Sequence, residues 1–313
     1  MLDQKIRTLA QHGFSGVEVV YKDLEIYAKS RSLSLIAGAK AIRQLCDELN
    51  LEILSLAPFE NFEGDNSTLD QRLQEAQRWI EIARVLRATY LQVPGHYGAS
   101  CSGDENVIVS DLRRLSHLGS AKEPLVSIAY EPMSWSTHIS TWQSTLRVIK
   151  AVDCSNFGLC LDSFHILTKL WGSPHHASGK YPNADADLAA SLASFKKDFP
   201  IDKLFYVQLS DAERFDPVFS REHPWFVEGE AAEFTWSKHA RPFPGETNLG
   251  GYLPVGEFLK ACVVDTGFKG WISMEIFDRK MRDAGFKIDD AATRATSSWA
   301  TLLREVRSPH SRL

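Results

Sequence analysis

The chain has 313 residues, of which 44% are hydrophobic and 24% are charged, so it is long enough to bury one sizeable core. Its formal net charge is −5 and it has no long run of Lys and Arg, which argues against a nucleic-acid-binding surface. Because its five cysteines lack CxxC spacing, and no signal peptide or membrane-spanning run is evident, we expect a soluble, cytoplasmic protein with reduced thiols.

Hydrophobic periodicity predicts strands and helices that alternate along the chain. Seven strands are predicted, at 16–20, 51–56, 89–93, 126–131, 157–162, 204–208 and 271–275. Helices are predicted at 2–12, 38–49, 68–86, 107–118, 139–152, 184–199, 253–266 and 291–306. Such alternation indicates parallel strands joined by right-handed crossovers. We therefore predict an α/β fold, a TIM (β/α)8-type barrel that forms a single domain over residues 1–313.

A closed barrel of this type has eight strands, one more than the sequence predicts. Because the chain opens on a helix, we expect the missing first strand to lie before Met1. The segment Leu209–Tyr252 follows the sixth predicted strand, which is the seventh of a complete barrel, and it is much longer than an ordinary βα loop. It is rich in aromatic residues, so we expect an insertion that forms a lid or a pocket wall.

Four of the predicted strands end on a side chain that carries oxygen donors: Glu131, Asp162, Gln208 and Glu275. The carboxyl ends of parallel strands meet at one mouth of a barrel, where three carboxylates would repel each other unless a cation lay between them. A donor set made only of oxygen suits Mg²⁺ or Mn²⁺. Each residue could instead cap a helix or a loop, but four of them at strand ends favour a metal site.

Three histidine-containing segments are candidates for roles beside the metal. His165 lies three residues after Asp162, on an expected loop, where general acid/base catalysis is favoured over the alternative of a surface histidine. His96 is a weaker candidate for substrate contact, because an exposed loop explains it equally well. His239 and Arg241 belong to a basic cluster in the insertion, which could be a solvated turn or could bind a substrate carboxylate through two Arg N–H groups.

Six motifs, which are specific as a set, connect the chain with a known family: Gly13–Glu18, Tyr130–Thr137, Asn156–Phe164, Phe205–Glu213, Gly250–Val255 and Gly270–Phe277. From Met1 to about Trp299 the chain resembles the xylose isomerase-like TIM barrels, and within them it is most similar to the fungal 3-dehydroshikimate dehydratases. The resemblance implies a metal-dependent hydro-lyase that converts 3-dehydroshikimate to protocatechuate through a metal-stabilised enediolate. The substrate that it implies is a small carboxylate.

The resemblance also implies roles for individual residues. The metal ligands it implies are the four oxygen-bearing residues named above, Glu131, Asp162, Gln208 and Glu275. His165 and Glu131 would be catalytic, and Arg241 and Ser237 would contact the substrate.

The chain departs from the family pattern at Ala57–Phe59, where Gln-Pro-Phe is common, and the acidic Glu60 that follows would repel a carboxylate. Two alternatives therefore stay open. One is a keto-sugar isomerase or epimerase on the same barrel, which would need a second carboxylate base across the substrate. The other is a catalytically inactive binding scaffold, which the missing strand favours. The sequence does not indicate the oligomeric state.

Overall fold

The computed structural model describes residues 1–307, which fall into two compact units. Unit one comprises Met1–Pro132 and Ser136–Cys160. Unit two comprises Met133–Trp135 and the chain from Leu161 onward. The prediction of a single domain over residues 1–313 stays a prediction, and its last six residues lie outside the described part.

All seven predicted strands are confirmed within residues 1–307, each to within one residue at either end. They are β1 (Gly16–Val20), β2 (Glu52–Ala57), β3 (Tyr90–Pro94), β4 (Ser127–Glu131), β5 (Phe157–Asp162), β6 (Leu204–Leu209) and β7 (Trp271–Met274). In unit one, β1 to β5 pair in chain order and every pair is parallel. In unit two, β6 pairs in parallel with β7. Parallel neighbours in chain order are the pairing that the α/β prediction requires.

Helices connect the strands, as the sequence predicts. The α-helices of residues 1–307 are α1 (Leu2–Gln11), α2 (Tyr21–Ser30), α3 (Leu35–Glu48), α4 (Leu69–Leu86), α5 (Glu105–Ser120), α6 (Trp142–Val152), α7 (Ser163–Leu170), α8 (Ala184–Asp198), α9 (Ala232–His239), α10 (Val255–Leu259) and α11 (Ile288–Arg307). Sequence periodicity missed α2, α7 and α9. The helix predicted at 253–266 is α10 followed by a π-helical segment, Lys260–Val264. None of the helices in residues 1–307 has the length and apolarity needed to cross a membrane.

Strands β2 to β6 are mostly buried, whereas the four residues of β7 are half-buried. All six residues of β5 are buried, which explains why the sequence of this strand is an almost continuous apolar run. The run ends on a charged residue, Asp162. The helices around the strands are amphipathic. In α4, for example, Ala76, Ile80 and Ala83 are buried at helical spacing while Gln74 is exposed.

The long segment between β6 and α10 is anchored by one buried carboxylate. Asp211 accepts backbone N–H groups from Ala212 at 2.8 Å, Gly245 at 3.2 Å, Tyr252 at 2.9 Å and Leu253 at 2.7 Å. Because a buried N–H group without an acceptor is costly, these bonds fix the two ends of the segment against each other. The predicted insertion is therefore not irregular throughout. Hydrogen bonds to Asp211 join its two ends, and it contains the helix α9. Its role as a lid stays a prediction.

Candidate active site

The end of β5 positions both Asp162 and His165. Asp162 is the last residue of β5 and also the N-cap of α7, because its Oδ1 accepts the backbone N–H of Phe164 at 2.6 Å. Aspartate is among the preferred N-cap residues, so the strand passes directly into a helix. His165 consequently lies in the first turn of α7. The prediction that it lies on a loop is wrong, and the cause is the unrecognised cap.

Arg241 lies at the centre of a polar cluster in unit two and is only 1% exposed. Its guanidinium donates to Ser210 Oγ from Nε at 3.0 Å and from Nη2 at 2.8 Å, and to Ser237 Oγ from Nη1 at 3.2 Å. It also forms ion pairs with Asp162 through Nη2 and with Glu275 through Nη1, the latter at 3.0 Å. The Arg241 guanidinium thus contacts two of the predicted metal-ligand carboxylates and the predicted substrate-binding serine.

The two carboxylates on Arg241 differ in their surroundings. Burial acts to raise the pKa of Asp162, but the charges of Arg241 and His165 and the hydrogen bonds to its oxygens lower the pKa below the ordinary value. Asp162 is therefore ionised near neutral pH. The side chain of Glu275 is 29% exposed, whereas that of Asp162 is fully buried. Of the two partners of Arg241, Glu275 is the one that can turn towards a ligand.

His165 is buried and neutral. Burial, the largest influence, lowers the pKa of its imidazole to about 4. Its Nδ1 accepts the backbone N–H of Ser134 at 3.2 Å, so the neutral ring carries its proton on Nε2, which lies 3.9 Å from Asp162 Oδ2. The edge of the Trp135 ring packs against the imidazole at a centroid distance of 4.7 Å. The structure therefore fixes both the tautomer and the orientation of this ring.

Glu131 is buried at the end of β4 in unit one, where it accepts a hydrogen bond on Oε2 from Gln92 Nε2. Gln92 pairs with Ala129 in the β3–β4 register, so Glu131, two residues further along β4, lies on the same face. Sequence analysis missed Gln92. The signal was present, because a lone polar residue interrupts the apolar run of β3.

His96 is buried and both of its ring nitrogens have partners in unit one. Nδ1 accepts the backbone N–H of Gly98 at 2.9 Å, and Nε2 lies 3.2 Å from Asp65 Oδ2. Its backbone N–H donates to Glu63 Oε1 at 2.6 Å. The alternative of an exposed loop histidine is therefore wrong for His96. Its predicted contact with substrate stays a prediction.

The remaining predicted residues lie in unit two. His239 stacks on Trp225 at 4.7 Å and its Nδ1 contacts Arg282; burial first, and then the charge of Arg282, lower its pKa to about 4. Its substrate-binding role stays a prediction. Gln208 is buried within β6, one residue before the strand ends. Of the basic cluster in the insertion, Arg241 is the member that pairs with Asp162 and Glu275.

A parallel α/β architecture with acidic residues at strand ends is shared with a known family. The family model described as "Xylose isomerase-like TIM barrel" matches residues 6–302, and the chain belongs to this family. The predicted fold class is confirmed. The crystal structure of the IOLI protein with a bound zinc atom shares this fold, with a TM-score of 0.71 and 20% identity over 98% of this chain and 94% of that one.

Particular relatives are dehydratases. A 3-dehydroshikimate dehydratase of Neurospora crassa is 34% identical over 324 residues, which cover 98% of this chain and 90% of the relative. A protein of the same name from Pseudomonas putida is 31% identical over 90% of this chain, but the chain spans only 37% of its length. The predicted resemblance to the fungal dehydratases is confirmed, as is the prediction of an enzyme of the hydro-lyase type.

Proposed function

We propose that the chain is a metal-dependent dehydratase that converts 3-dehydroshikimate to protocatechuate and water. The Neurospora relative that bears this name supports the reaction, since it matches nearly the whole chain. The observation that carries the proposal is the cluster of buried Asp162 and Ser237 and half-buried Glu275 around Arg241, with the neutral His165 beside Asp162. This cluster combines negative oxygen donors with a cation and a proton-carrying ring.

The donor set fits a divalent cation. In the barrel architecture of the family, the strand ends meet at one mouth, and on that ground we propose Glu131, Asp162, Gln208 and Glu275 as ligands of Mg²⁺ or Mn²⁺. Three carboxylates with Arg241 carry a net charge of about −2, which one divalent cation balances. When bound, the cation would act as a Lewis acid that polarises the substrate ketone.

Arg241 would hold the substrate carboxylate. All of its donor nitrogens already have protein partners, of which Glu275 is the most exposed. With Glu275 engaged by the cation, a substrate carboxylate would take its place on Nη1, next to Ser237. Guanidinium can bind a carboxylate through two parallel N–H groups, which orients the substrate ring as well as holding it.

His165 would transfer the proton in the elimination. Nδ1 accepts the N–H of Ser134, and in this proposal Nε2–H would donate to a substrate oxygen. Glu131 would take up the proton of the ring carbon next to the ketone, while the leaving hydroxyl would take a proton from His165 and depart as water, so that the pair gains one proton and loses one in each turnover. A second ring proton would then move to the ketone oxygen, which becomes a phenol hydroxyl of the aromatic product. Together with Glu131, His165 forms the catalytic pair of this proposal.

The direct test is conversion of 3-dehydroshikimate by the purified protein with Mn²⁺ or Mg²⁺, followed by chromatography of protocatechuate. We expect EDTA to stop the reaction, and Asp162→Asn to lower kcat/KM at least about 100-fold, because the amide keeps the N-cap acceptor but not the charge. Asp202→Asn, at an exposed position, is the matched control and should be unchanged. Turnover of ketoses but not of 3-dehydroshikimate would establish the isomerase instead, and neither turnover nor metal binding would indicate a scaffold. The cytoplasmic location stays a prediction.

A further inference from the structure

We propose that Gln92 is a positioning residue, which orients the carboxylate of Glu131 and thereby sets the affinity of the protein for a divalent cation. This inference rests on the proposed function, because it takes Glu131 to be a metal ligand. It adds a residue of β3 to a set of predicted metal ligands that begins at the end of β4.

The contact joins two side chains on adjacent strands of unit one. Gln92 is 2% exposed and donates from Nε2 to Glu131 Oε2. Its backbone is held on both sides, because its carbonyl accepts the N–H of Phe59 at 2.9 Å and its strand is in parallel register with β4 at Ala129. The Gln92 amide is therefore held in a rigid position, from which it orients the carboxylate of Glu131.

Core packing does not explain a glutamine here. Its neighbours along β3, Leu91 and Val93, are both fully buried and apolar. Gln92 Oε1 has no hydrogen-bond partner among residues 1–307, so the amide is only half satisfied in the interior, which is unfavourable. An apolar side chain would avoid this cost. The glutamine is explained instead by the hydrogen bond that its Nε2–H group donates to Glu131.

The chemistry of the amide matches the need of a metal ligand. The amide NH₂ group orients the carboxylate without adding a negative charge, which a glutamate at this position would do. A reversed amide would place Oε1 against Oε2 of Glu131, which is repulsive, so only one orientation is stable. Hydrogen bonds of this kind to metal ligands typically change metal affinity or activity 10–100-fold.

The experiment measures Mn²⁺ binding and metal-free stability side by side. Gln92→Met keeps the side-chain length without the N–H donor, and Gln92→Asn keeps the amide but withdraws it by one methylene. We expect the Kd for Mn²⁺, measured by calorimetric titration, to rise about 10–100-fold in both variants. We expect the melting temperature of the EDTA-treated protein to fall by no more than in Thr145→Val, which removes a part-buried hydrogen bond elsewhere in unit one.

The outcomes separate the two proposals. If the unaltered protein does not bind Mn²⁺, the proposed metal-dependent function is wrong. If it binds Mn²⁺ but both Gln92 variants bind within twofold of it, the function stands and Gln92 is a structural residue only. If Thr145→Val weakens Mn²⁺ binding as much as the Gln92 variants do, the effect is a general loss of stability and the inference is overturned. Should one Gln92 variant not fold, the other decides.

Discussion

At the scale of single residues, the most unusual group in unit one is the buried carboxyl of Glu63. Its Oε1 accepts the N–H of His96 at 2.6 Å and the hydroxyl of Tyr130 at 2.7 Å, while Oε2 has no partner among residues 1–307. Burial, the largest influence, raises its pKa from 4.5 to about 7 despite these hydrogen bonds. A charge at this position is therefore a cost to the folded state.

The raised pKa of Glu63 predicts a pH-dependent stability. A carboxyl whose folded pKa is raised contributes fully below its unfolded pKa, and that contribution is lost as the pH rises towards the folded pKa. We expect the unaltered protein to lose about 3 kcal/mol relative to Glu63→Gln between pH 4.5 and pH 7, with no further change above that range. Urea denaturation at several pH values measures the difference. A difference that does not vary with pH would contradict the assignment.

The residues of the site were predictable to different degrees. Glu131, Asp162, Gln208 and Glu275 stand at or near the ends of recognisable strands, so their types and positions were available from the sequence. Their hydrogen-bonding environment could not be predicted from the sequence. Ser210 contacts Arg241, and the amide of Gln92 contacts Glu131, only because the fold brings residues that are distant in the sequence together. Positions alone identify candidate ligands; the hydrogen bonds that tune them require the fold.

At the scale of elements, the segment that carries Arg241 depends on Asp211. Asp211→Ala removes the acceptor of four backbone N–H groups, two of them in buried hydrogen bonds, and we expect a loss of at least about 3 kcal/mol in the free energy of unfolding. Asp211→Asn keeps one oxygen and should lose less. Chemical denaturation gives the magnitudes, with the exposed Asp202→Ala as a control expected to stay within about 0.5 kcal/mol. Equal losses in all three variants would refute the anchoring role.

Strands were predicted better than helices, for a physical reason. A buried parallel strand leaves a short apolar run bounded by turn residues, and this pattern survives in the sequence. The missed helices begin without a separate start signal. Helix α2 starts at Tyr21, directly after Val20, and has no side-chain cap, while α7 uses the last residue of β5 as its cap. Helix α9 has only eight residues.

At the scale of the whole molecule, the proposed cation should stabilise the fold as well as serve the reaction. A ligand at 100 times its Kd contributes about 2.7 kcal/mol, which corresponds to a rise of about 4 °C in melting temperature for a chain of 313 residues. We expect EDTA to lower the melting temperature by that amount and Mn²⁺ to restore it. Asp162→Asn should show a much smaller response. An unaltered protein that melts at the same temperature with and without EDTA would speak against a tightly held cation.

The class of fold was predictable from the alternation of strands and helices alone, but the division of the chain into two compact units was not. The boundary falls inside β5, between Cys160 and Leu161, and the short stretch Met133–Trp135 belongs to unit two. Its place there follows from contacts such as the hydrogen bond from Ser134 to His165, which joins residues 31 positions apart. No local pattern in the sequence encodes such a contact.

Asp162 terminates a strand, begins a helix and neutralises a buried guanidinium, all with one carboxyl group. A homologue that had lost catalytic activity would still require an aspartate at this position, because the first turn of α7 needs a hydrogen-bond acceptor and Arg241 needs a counter-ion. The presence of that aspartate in a distant homologue is thus a weak marker of activity.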